Sequence, residues 1–333
     1  MSEFSLHRRT FLTLAGAGLT AAAFPKGALA EGQGAGAPLN FGFQNTSWGT
    51  IGMIAESQDL FKKAGANVKI FKFDSGKTTR DAMISGRIDI GVIGATPFVI
   101  GAAKGELEAI AIALYGAKTL SVVASAKSGM TSVKDLKGKR VGSQLGSATD
   151  FVFQNKILPK FGLSKNDVQV INVTFQNHVA ALVAGSIDAF AGVEPFPSVA
   201  EVEGIGKVLV DYSDFDLQPI ILAANKSVID SKREAVIAFL RGWLAGVKEF
   251  NSQPDVASEI VLKHFKDQGF SVNDKVIKLM LSKIDVNPNF TPALKTYLDG
   301  EAALLLKQKK IAAAPDWNTR LDSALLAAAG AKT

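Results

Sequence analysis

Strand-like and helix-like patterns of hydrophobic residues alternate along most of the chain. The segments LNFGFQ, VKIFKF and IDIGVIG are rich in β-branched and aromatic residues, which favour strands. Helical spacing of apolar positions predicts helices over residues 50–64, from Thr78 and from Pro97. Alternation of this kind predicts an α/β fold with largely parallel strands.

One strand–helix–strand unit occurs twice, about 100 residues apart. The copies are VKIFKFDSGKTTRDAMISGRIDIGVIG at residues 68–94 and VQVINVTFQNHVAALVAGSIDAFAGV at residues 168–193. Both contain a Gly-x-Ile-Asp turn, at residues 86–89 and 185–188, whose glycine tolerates the left-handed backbone that ends a helix. The duplication predicts two similar lobes that enclose a small molecule between them.

The remaining segments complete the two lobes. We expect residues 126–217 to form the second lobe, and an apolar strand over residues 218–224 to cross back to the first. Apolar residues between 236 and 250 recur at helical spacing and are expected to pack against the first lobe. The predicted domains are therefore lobe one, 38–125 plus 218–333, and lobe two, 126–217.

The first thirty residues have the composition of an export signal. Arg8 and Arg9 precede an apolar stretch over residues 11–24, and Ala28-Leu29-Ala30 offers the small-x-small pattern that a signal peptidase cleaves. The paired arginines resemble the twin-arginine signal, whose cargo crosses the membrane folded. No later run approaches the roughly 20 apolar residues of a membrane-spanning helix. We therefore expect a soluble periplasmic protein.

Composition narrows the class further. The 333 residues are 47% hydrophobic and 20% charged, as in globular proteins, and include no cysteine. Disulfides are thus excluded, and so is a lipid-modified cysteine as membrane anchor. Without the signal, 34 basic and 30 acidic residues leave a net charge of about +4. The lysines are scattered rather than interleaved with aromatic residues, which argues against nucleic-acid binding. We expect a freely diffusing monomer.

The chain resembles a known family on several segments. It is similar to the periplasmic substrate-binding proteins of ABC transporters for sulfonates, taurine and nitrate, a family that also includes binders of thiamine-precursor pyrimidines. The resemblance implies a type II periplasmic binding protein fold, with two lobes and a two-stranded hinge. It also implies that the lobes close on the solute and that a permease in the inner membrane receives the closed form. The similar segments are FGFQNTSW at 41–48, GRID at 86–89, VKDLKGK at 133–139, GSAT at 146–149 and EPF at 194–196.

Loops at the carboxyl ends of the strands form the predicted ligand site, because parallel sheets leave a crevice there and helix N-termini point into it. Four loops qualify: residues 44–48, 74–78, 94–97 and 146–149. Their hydroxyls and backbone amides are suited to an oxyanion, with the residues of the last loop at an exposed cleft rim. The alternative is that Ser and Thr at these places are ordinary helix N-caps. The candidate residues are Gln44, Ser47, Trp48, Ser75, Gly76, Lys77, Thr96, Ser147, Thr149 and Glu194.

Three candidates have two interpretations each. Trp48 either stacks on the ligand or covers the interface between the lobes. Lys77 either neutralises an anion or is a solvated surface lysine. Glu194 lies where the family has an acidic-Pro pair near the hinge, and it binds either a ligand amine or the backbone.

Two other functional classes are disfavoured. The segment Ser75-Gly76-Lys77-Thr78 looks like the end of a phosphate-binding loop, but Phe71 stands where such a loop requires its first glycine. For an enzyme, the mature chain offers only His178 and His264, with no cysteine, no nucleophile–base pair and no metal-ligand cluster.

The preferred function is therefore a non-enzymatic periplasmic component of an ABC importer. It captures a small oxyanion, an aliphatic sulfonate such as taurine, or nitrate, without a cofactor or metal. The alternative is a heteroaromatic solute such as a thiamine-precursor pyrimidine, gripped by Trp48, Phe196 and Glu194.

Overall fold

The computed structural model describes residues 34–330, so the predicted export signal at residues 1–30 lies outside the described residues. All described residues belong to one compact unit. They form two five-stranded sheets flanked by helices. The strands are β1 Pro38–Gln44, β2 Asn67–Phe73, β3 Ile90–Gly94, β4 Leu107–Tyr115, β5 Leu120–Ser125, β6 Arg140–Ser143, β7 Gln169–Asn172, β8 Ala189–Val193, β9 Gly206–Asp211 and β10 Pro219–Asn225.

Helices flank both sheets. Within residues 34–330, none is both long enough and apolar enough to cross a membrane. They are α1 Thr50–Ser57, α2 Leu60–Lys63, α3 Gly76–Ile84, α4 Ala95–Ala103, α5 Ala148–Val152, α6 Leu158–Lys160, α7 His178–Val183, α8 Phe196–Val202, α9 Lys226–Ser231, α10 Arg233–Ser252, α11 Pro254–Asp267, α12 Asp274–Leu281, α13 Pro292–Lys307 and α14 Ser323–Ala328.

The two sheets have the same strand order. The first sheet runs β2-β1-β3-β10-β4 and the second runs β7-β6-β8-β5-β9. In each, the first three strands are parallel and the fourth is antiparallel to both neighbours. The sheets are therefore mixed, with as many antiparallel as parallel pairings. The fourth strand of each sheet, β10 or β5, follows directly after the chain has crossed from the other sheet.

The repeated unit corresponds to equivalent parts of the two sheets. The first copy forms β2, α3 and β3, and the second forms β7, α7 and β8. Gly86 and Gly185 both have a left-handed backbone, with φ of 74° and 67°. The predicted duplication is thus present in the fold, as two copies of one strand–helix–strand unit.

The aspartates of the Gly-x-Ile-Asp turns explain why this turn recurs. Asp89 Oδ2 accepts a hydrogen bond from the backbone N–H of Asn40, which is in β1, at 2.7 Å. Asp188 Oδ2 accepts one from the N–H of Arg140, the first residue of β6, at 2.8 Å. Each aspartate therefore ties the start of the third strand of its sheet, β3 or β8, to the neighbouring second strand, β1 or β6.

The chain crosses between the sheets twice. The first crossing, residues 116–119, joins β4 to β5, and the second crossing, residues 212–218, joins β9 to β10. The two crossings are hydrogen-bonded to each other, because Gly116 N–H donates to the carbonyl oxygen of Gln218 at 2.9 Å. Strand β5 pairs with β8 and β9 of the second sheet. The boundary drawn at residue 125 from the sequence thus lies one strand beyond the change of sheet.

The helix predicted over residues 50–64 is interrupted. Helix α1 ends at Ser57 and α2 begins at Leu60, since Asp59 between them has a φ of 53°. Aspartate is among the few residues that adopt this left-handed conformation readily. The pattern of apolar residues continued through the break and gave no sign of it.

An aromatic cluster fixes α10 on the first sheet, as predicted. The ring of Phe239 lies 4.9 Å from that of Phe41 in β1 and 4.7 Å from that of Phe61. Trp243, one turn further along α10, is also fully buried and packs edge-on to Phe41 at 5.9 Å. These large apolar surfaces account for the stable attachment of α10 to this sheet.

Candidate ligand-binding site

Loops from the two sheets touch at Gly94, the last residue of β3. A methyl group built on Gly94 would lie 2.6 Å from Cβ of Ala148, which begins α5 on the second sheet. It would also lie 3.3 Å from Nε2 of Gln218 and 3.4 Å from Cζ3 of Trp48. The loop after β1, the second crossing and the helix start of the second sheet therefore converge on one glycine, and we call this place the inter-sheet contact.

The loop after β1 lies at this contact. Gln44 is buried, and its Nε2 donates to Thr79 Oγ1 at 2.6 Å and to the carbonyl oxygen of Val92 at 2.7 Å. The backbone N–H of Ser47 donates across the contact to the carbonyl oxygen of Glu194 at 2.9 Å. The hydroxyl of Ser47 is fully buried and has no hydrogen-bond partner in the structure.

Trp48 covers the first crossing. Its indole N–H donates to Thr119 Oγ1 at 3.0 Å, and only 2% of the residue is exposed. The polar edge of the indole is thus occupied by the protein, while the six-membered ring faces Gly94. This arrangement agrees with the interpretation that Trp48 covers the interface between the sheets, and it leaves one ring edge beside the contact.

Two of the predicted serines are helix N-caps. Ser75 accepts a hydrogen bond from the N–H of Thr78 at 3.3 Å and caps α3. Ser147 accepts one from the N–H of Asp150 at 3.1 Å and caps α5. Gly76 packs closely on the end of β3, because a methyl group there would lie 3.2 Å from the backbone nitrogen of Gly94. The capping alternative therefore accounts for the hydroxyls of both serines.

Lys77 lies at the outer edge of the contact. Its side chain is exposed, and a methyl group built on Gly146 would lie 3.1 Å from its Cδ. Nearby, Gln176 Nε2 donates weakly to Asp74 Oδ1 at 3.5 Å. Lys77 therefore reaches from the first sheet over the loop of the second, with its ammonium group in solvent.

Thr149 lies inside the contact rather than on a rim. Both Ser147 and Thr149 are buried, which contradicts the expected exposed cleft rim. The Thr149 hydroxyl has no hydrogen-bond partner in the structure. The neighbouring Asp150 is fully engaged, since it accepts from Ser143 Oγ at 2.9 Å and from the N–H of Gly146 at 3.0 Å. The loop is thus held rigidly by Asp150 while Thr149 is left free to bind another group.

A buried charged network crosses the contact on the side of the second crossing. Thr96 Oγ1 donates to the carboxylate of Glu301 in α13. Lys156 of the second half forms ion pairs with Asp216 and, at 3.8 Å, with Glu301. The hydroxyl of Tyr297 donates to Asp216 Oδ1 at 2.7 Å. Burial raises the pKa of Glu301, although the hydrogen bond from Thr96 and the charge of Lys156 act in the opposite direction.

Glu194 belongs to a second ion pair and not to an open site. Its Oε1 lies 2.6 Å from Nζ of Lys283, just beyond α12, and its Oε2 accepts from the N–H of Ser198 at 3.1 Å. The carboxylate is fully buried, and this burial raises its pKa while Lys283 lowers it. Phe196, the other proposed aromatic grip, packs on Phe270 with ring centres 5.9 Å apart. The Glu194 carboxylate and the Phe196 ring, which the heteroaromatic alternative assigns to the solute, are therefore both in contact with other protein groups.

The two described histidines have internal partners. His178 Nε2 donates to the carbonyl oxygen of Val173 at 3.2 Å, and burial lowers its pKa to about 3. His264 Nε2 donates to Asn45 Oδ1 at 3.0 Å, and burial lowers its pKa to about 4. Across residues 34–330, no three histidine or acidic side chains are grouped as metal ligands.

Sequence reasoning missed the contribution of the second crossing. Gln218 is fully buried beside Gly94, and neither atom of its amide has a hydrogen-bond partner in the structure. The only sequence signal was a polar residue directly before Pro219 in an apolar strand pattern. Lys156, Asp216 and Glu301 are far apart in sequence, and no local pattern brings them together.

Comparison with known proteins gives this geometry a context. Residues 49–257, well over half of the chain, match the family described as NMT1/THI5 like. A Brucella abortus protein assigned as a binding protein is 32% identical over 267 residues, covering 78% of this chain and 80% of the relative. A Bacillus subtilis protein assigned as an aliphatic sulfonates-binding protein is 29% identical over 223 residues, covering 66% of this chain and 67% of the relative. The taurine-binding periplasmic protein of Escherichia coli is 27% identical over 212 residues, covering 61% of this chain and 64% of the relative.

Solved structures show the same architecture. The alkanesulfonate-binding protein of Xanthomonas axonopodis pv. citri, bound to MOPS, has a TM-score of 0.75 at 20% identity, covering 86% of this chain and 98% of that one. The nitrate-binding protein of Synechocystis PCC 6803 has a TM-score of 0.71 at 16% identity, covering 88% of each chain.

The two mixed five-stranded sheets, with loops meeting between them, therefore define a periplasmic binding protein fold. The chain belongs to the NMT1/THI5 like family. The resemblance to binding proteins for sulfonates, taurine and nitrate that the sequence predicted is confirmed.

Proposed function

We propose that this protein is the periplasmic solute-binding component of an ABC importer and that it captures a small organic sulfonate. The sheets with their helices act as the two lobes, and the two crossings act as the hinge. The solute binds at the inter-sheet contact when the lobes close, and a permease in the inner membrane receives the closed form. Sulfonate and taurine binding by relatives of 29% and 27% identity support this solute class.

The observation that carries the proposal is the pair of buried, unpartnered hydroxyls on opposite sides of the contact. Ser47 Oγ comes from the first sheet and Thr149 Oγ1 from the second, and neither has a hydrogen-bond partner. Leaving a buried polar group unpaired costs about 1–3 kcal/mol, so such groups are rare unless a ligand completes them. A sulfonate has three oxygens that accept hydrogen bonds, and one such group is able to satisfy donors from both lobes at once.

At the inter-sheet contact the groups available to bind an anion are neutral hydrogen-bond donors rather than an unpaired lysine. Lys156 is already committed to Asp216 and Glu301, and Lys77 is exposed at the outer edge. Hydroxyl and amide donors hold an anion by hydrogen bonds, which are stronger to a charged acceptor than to a neutral one. This supports a weakly basic, charge-delocalised oxyanion such as a sulfonate.

Calorimetric titration of the signal-free protein tests the proposal. The panel contains ethanesulfonate, taurine, nitrate and a 4-aminopyrimidine. We expect a sulfonate to bind with a Kd on the order of micromolar, about −8 kcal/mol. The Thr149→Val variant removes one hydroxyl with little change in shape, and we expect it to weaken sulfonate binding about tenfold. Thr131→Val, in an exposed loop of the same half, is the matched control and keeps wild-type affinity. Binding of the pyrimidine alone contradicts the proposal.

A further inference from the structure

Gln218 occupies a constrained position in the second crossing. Its φ is 43°, a left-handed conformation that is unfavourable for a residue other than glycine. The residue before a proline is restricted further, and Pro219 follows directly. Its N–H donates to Asp216 Oδ1 at 2.6 Å, and its carbonyl oxygen accepts from Gly116 N–H at 2.9 Å. Both crossings therefore hold this backbone in place.

The side chain of Gln218 is also held at a cost. It is fully buried, and neither Oε1 nor Nε2 has a hydrogen-bond partner. A buried amide without hydrogen-bond partners is unfavourable, because it has lost its hydrogen bonds to water. Nε2 lies 3.3 Å from the place of a methyl group built on Gly94, the same place that Ala148 and Trp48 approach. The unpaired amide thus ends at the inter-sheet contact.

We propose that Gln218 is a ligand-contacting residue that determines solute specificity. This inference rests on the proposed function, since it assigns a role to a residue of that same site. The amide has two chemical faces: Nε2 donates to an oxygen of the sulfonate, and Oε1 accepts from a hydrogen-bond donor elsewhere on the solute. Gln218 therefore selects sulfonates that have a hydroxyl or amino group next to the anionic head, over plain alkanesulfonates and nitrate.

A purely structural role predicts different behaviour. A glutamine retained for packing would use its amide on the protein itself, and replacement by an apolar residue of similar size would then destabilise the free protein. Because both amide atoms of Gln218 are unpaired, replacing it by an apolar residue removes an unfavourable buried polar group and should not destabilise the free protein. Stability without ligand and affinity for ligand therefore respond in opposite directions.

The test compares Gln218→Leu with wild type in two measurements. In the first, thermal unfolding without ligand is expected to give an unchanged or higher Tm. In the second, calorimetry is performed with ethanesulfonate and 2-hydroxyethanesulfonate, which differ by one hydroxyl. Wild type is expected to prefer the hydroxylated solute at least fivefold. Gln218→Leu is expected to lose that preference and to bind at least tenfold more weakly. Gln169→Leu, at an exposed position in β7, is the matched control and behaves as wild type.

Each outcome has a definite meaning. A Tm lowered by several degrees in Gln218→Leu shows that the amide is held by the protein or by internal water, and overturns the inference. Equal affinity and equal preference in variant and wild type overturn it as well. If wild type binds ethanesulfonate without any preference, the inference fails while the proposed function stands. If wild type binds neither sulfonate, the proposed function fails and the inference that depends on it falls too. The Tm measurement then still decides whether the amide is structural.

Discussion

Gly94 and Ala148 face each other so closely across the two sheets that no side chain fits at position 94. A Cβ atom built on Gly94 would lie 2.6 Å from Cβ of Ala148. The backbone of Gly94, with φ −69° and ψ 166°, is in contrast acceptable for any residue. Glycine is therefore required here for approach of the halves and not for local conformation. A larger residue at position 94 is therefore expected to disturb the approach of the two sheets without destabilising either sheet.

Gly94→Ala is expected to hinder closure and to lower solute affinity at least tenfold, with little change in unfolding by urea. The second substitution Ala148→Gly removes the opposing methyl group, so the double variant is expected to regain most of the affinity. Calorimetric titration with the best-bound sulfonate measures both. Gly300→Ala is the control, because a methyl group there has nothing within 4 Å. An affinity loss that Ala148→Gly does not reverse would show that position 94 acts in another way.

The ion pair between Glu194 and Lys283 is expected to stabilise the fold rather than to bind solute. Lys283→Met leaves a buried carboxylate without its cation, which costs about 3–5 kcal/mol in comparable cases. The double variant with Glu194→Gln is expected to recover part of that loss, because the unpaired charge is gone. Urea denaturation measures the free energies of unfolding.

An exposed ion pair provides the comparison. Lys226 and Asp230 pair at 2.7 Å on α9 with both side chains about half exposed, at 46% and 60%. Lys226→Met is therefore expected to cost about 0.5 kcal/mol or less. Equal effects of Lys283→Met and Lys226→Met would refute the structural role assigned to the buried pair.

The two serine N-caps and the free threonine are expected to respond differently to mutation. Ser147→Ala removes the acceptor for the N–H of Asp150 and should lower stability by about 1 kcal/mol. Thr149→Val removes a hydroxyl with no partner, so stability should be unchanged while sulfonate affinity falls. Urea denaturation and calorimetry on each single variant separate the effects. A destabilised Thr149→Val would mean that its hydroxyl has an internal role.

The repeated unit and the family segments made the fold predictable from sequence. Each copy contains its own helix-ending glycine and its own aspartate, so the local pattern was sufficient to place β2, α3 and β3 and their equivalents. The break at Asp59 and the sheet to which β5 belongs were not predictable. The first depends on a single left-handed residue, and the second on pairing with strands more than sixty residues further along the chain.

The candidate site was predictable only at the level of loops. The positions of loops at strand ends identified the loops that meet. The sequence pattern does not show which hydroxyl groups cap their own helices and which have no partner. Ser75 and Ser147 serve their own helices, and Glu194 is neutralised by Lys283, which is 89 residues away in sequence. The free groups at Thr149 and Gln218 follow from tertiary burial, which no local spacing encodes.

His264 is expected to make the protein sensitive to acid. Its folded-state pKa is about 4, below the ordinary value of about 6.5, mainly because of burial. Between these values the unfolded chain binds a proton that the folded protein does not, so stability decreases as the pH falls through 6.5 toward 4. The raised pKa values of Glu194 and Glu301 act in the opposite sense above pH 4.5. Because wild type and a His264 variant share these two carboxyl groups, the difference in stability between them at the same pH gives the contribution of the histidine.

His264→Gln keeps a side-chain donor for Asn45 and removes the titrating ring. Relative to wild type, this variant is expected to become more stable by roughly 1 kcal/mol between pH 7 and pH 5, after allowance for the partial exposure of the imidazole. Urea denaturation at pH 7, 6 and 5 measures this difference. Lys263→Gln, on the neighbouring exposed residue, is the control and should follow the wild-type profile. Parallel profiles for His264→Gln and wild type would show that the histidine titrates alike in the folded and unfolded chain.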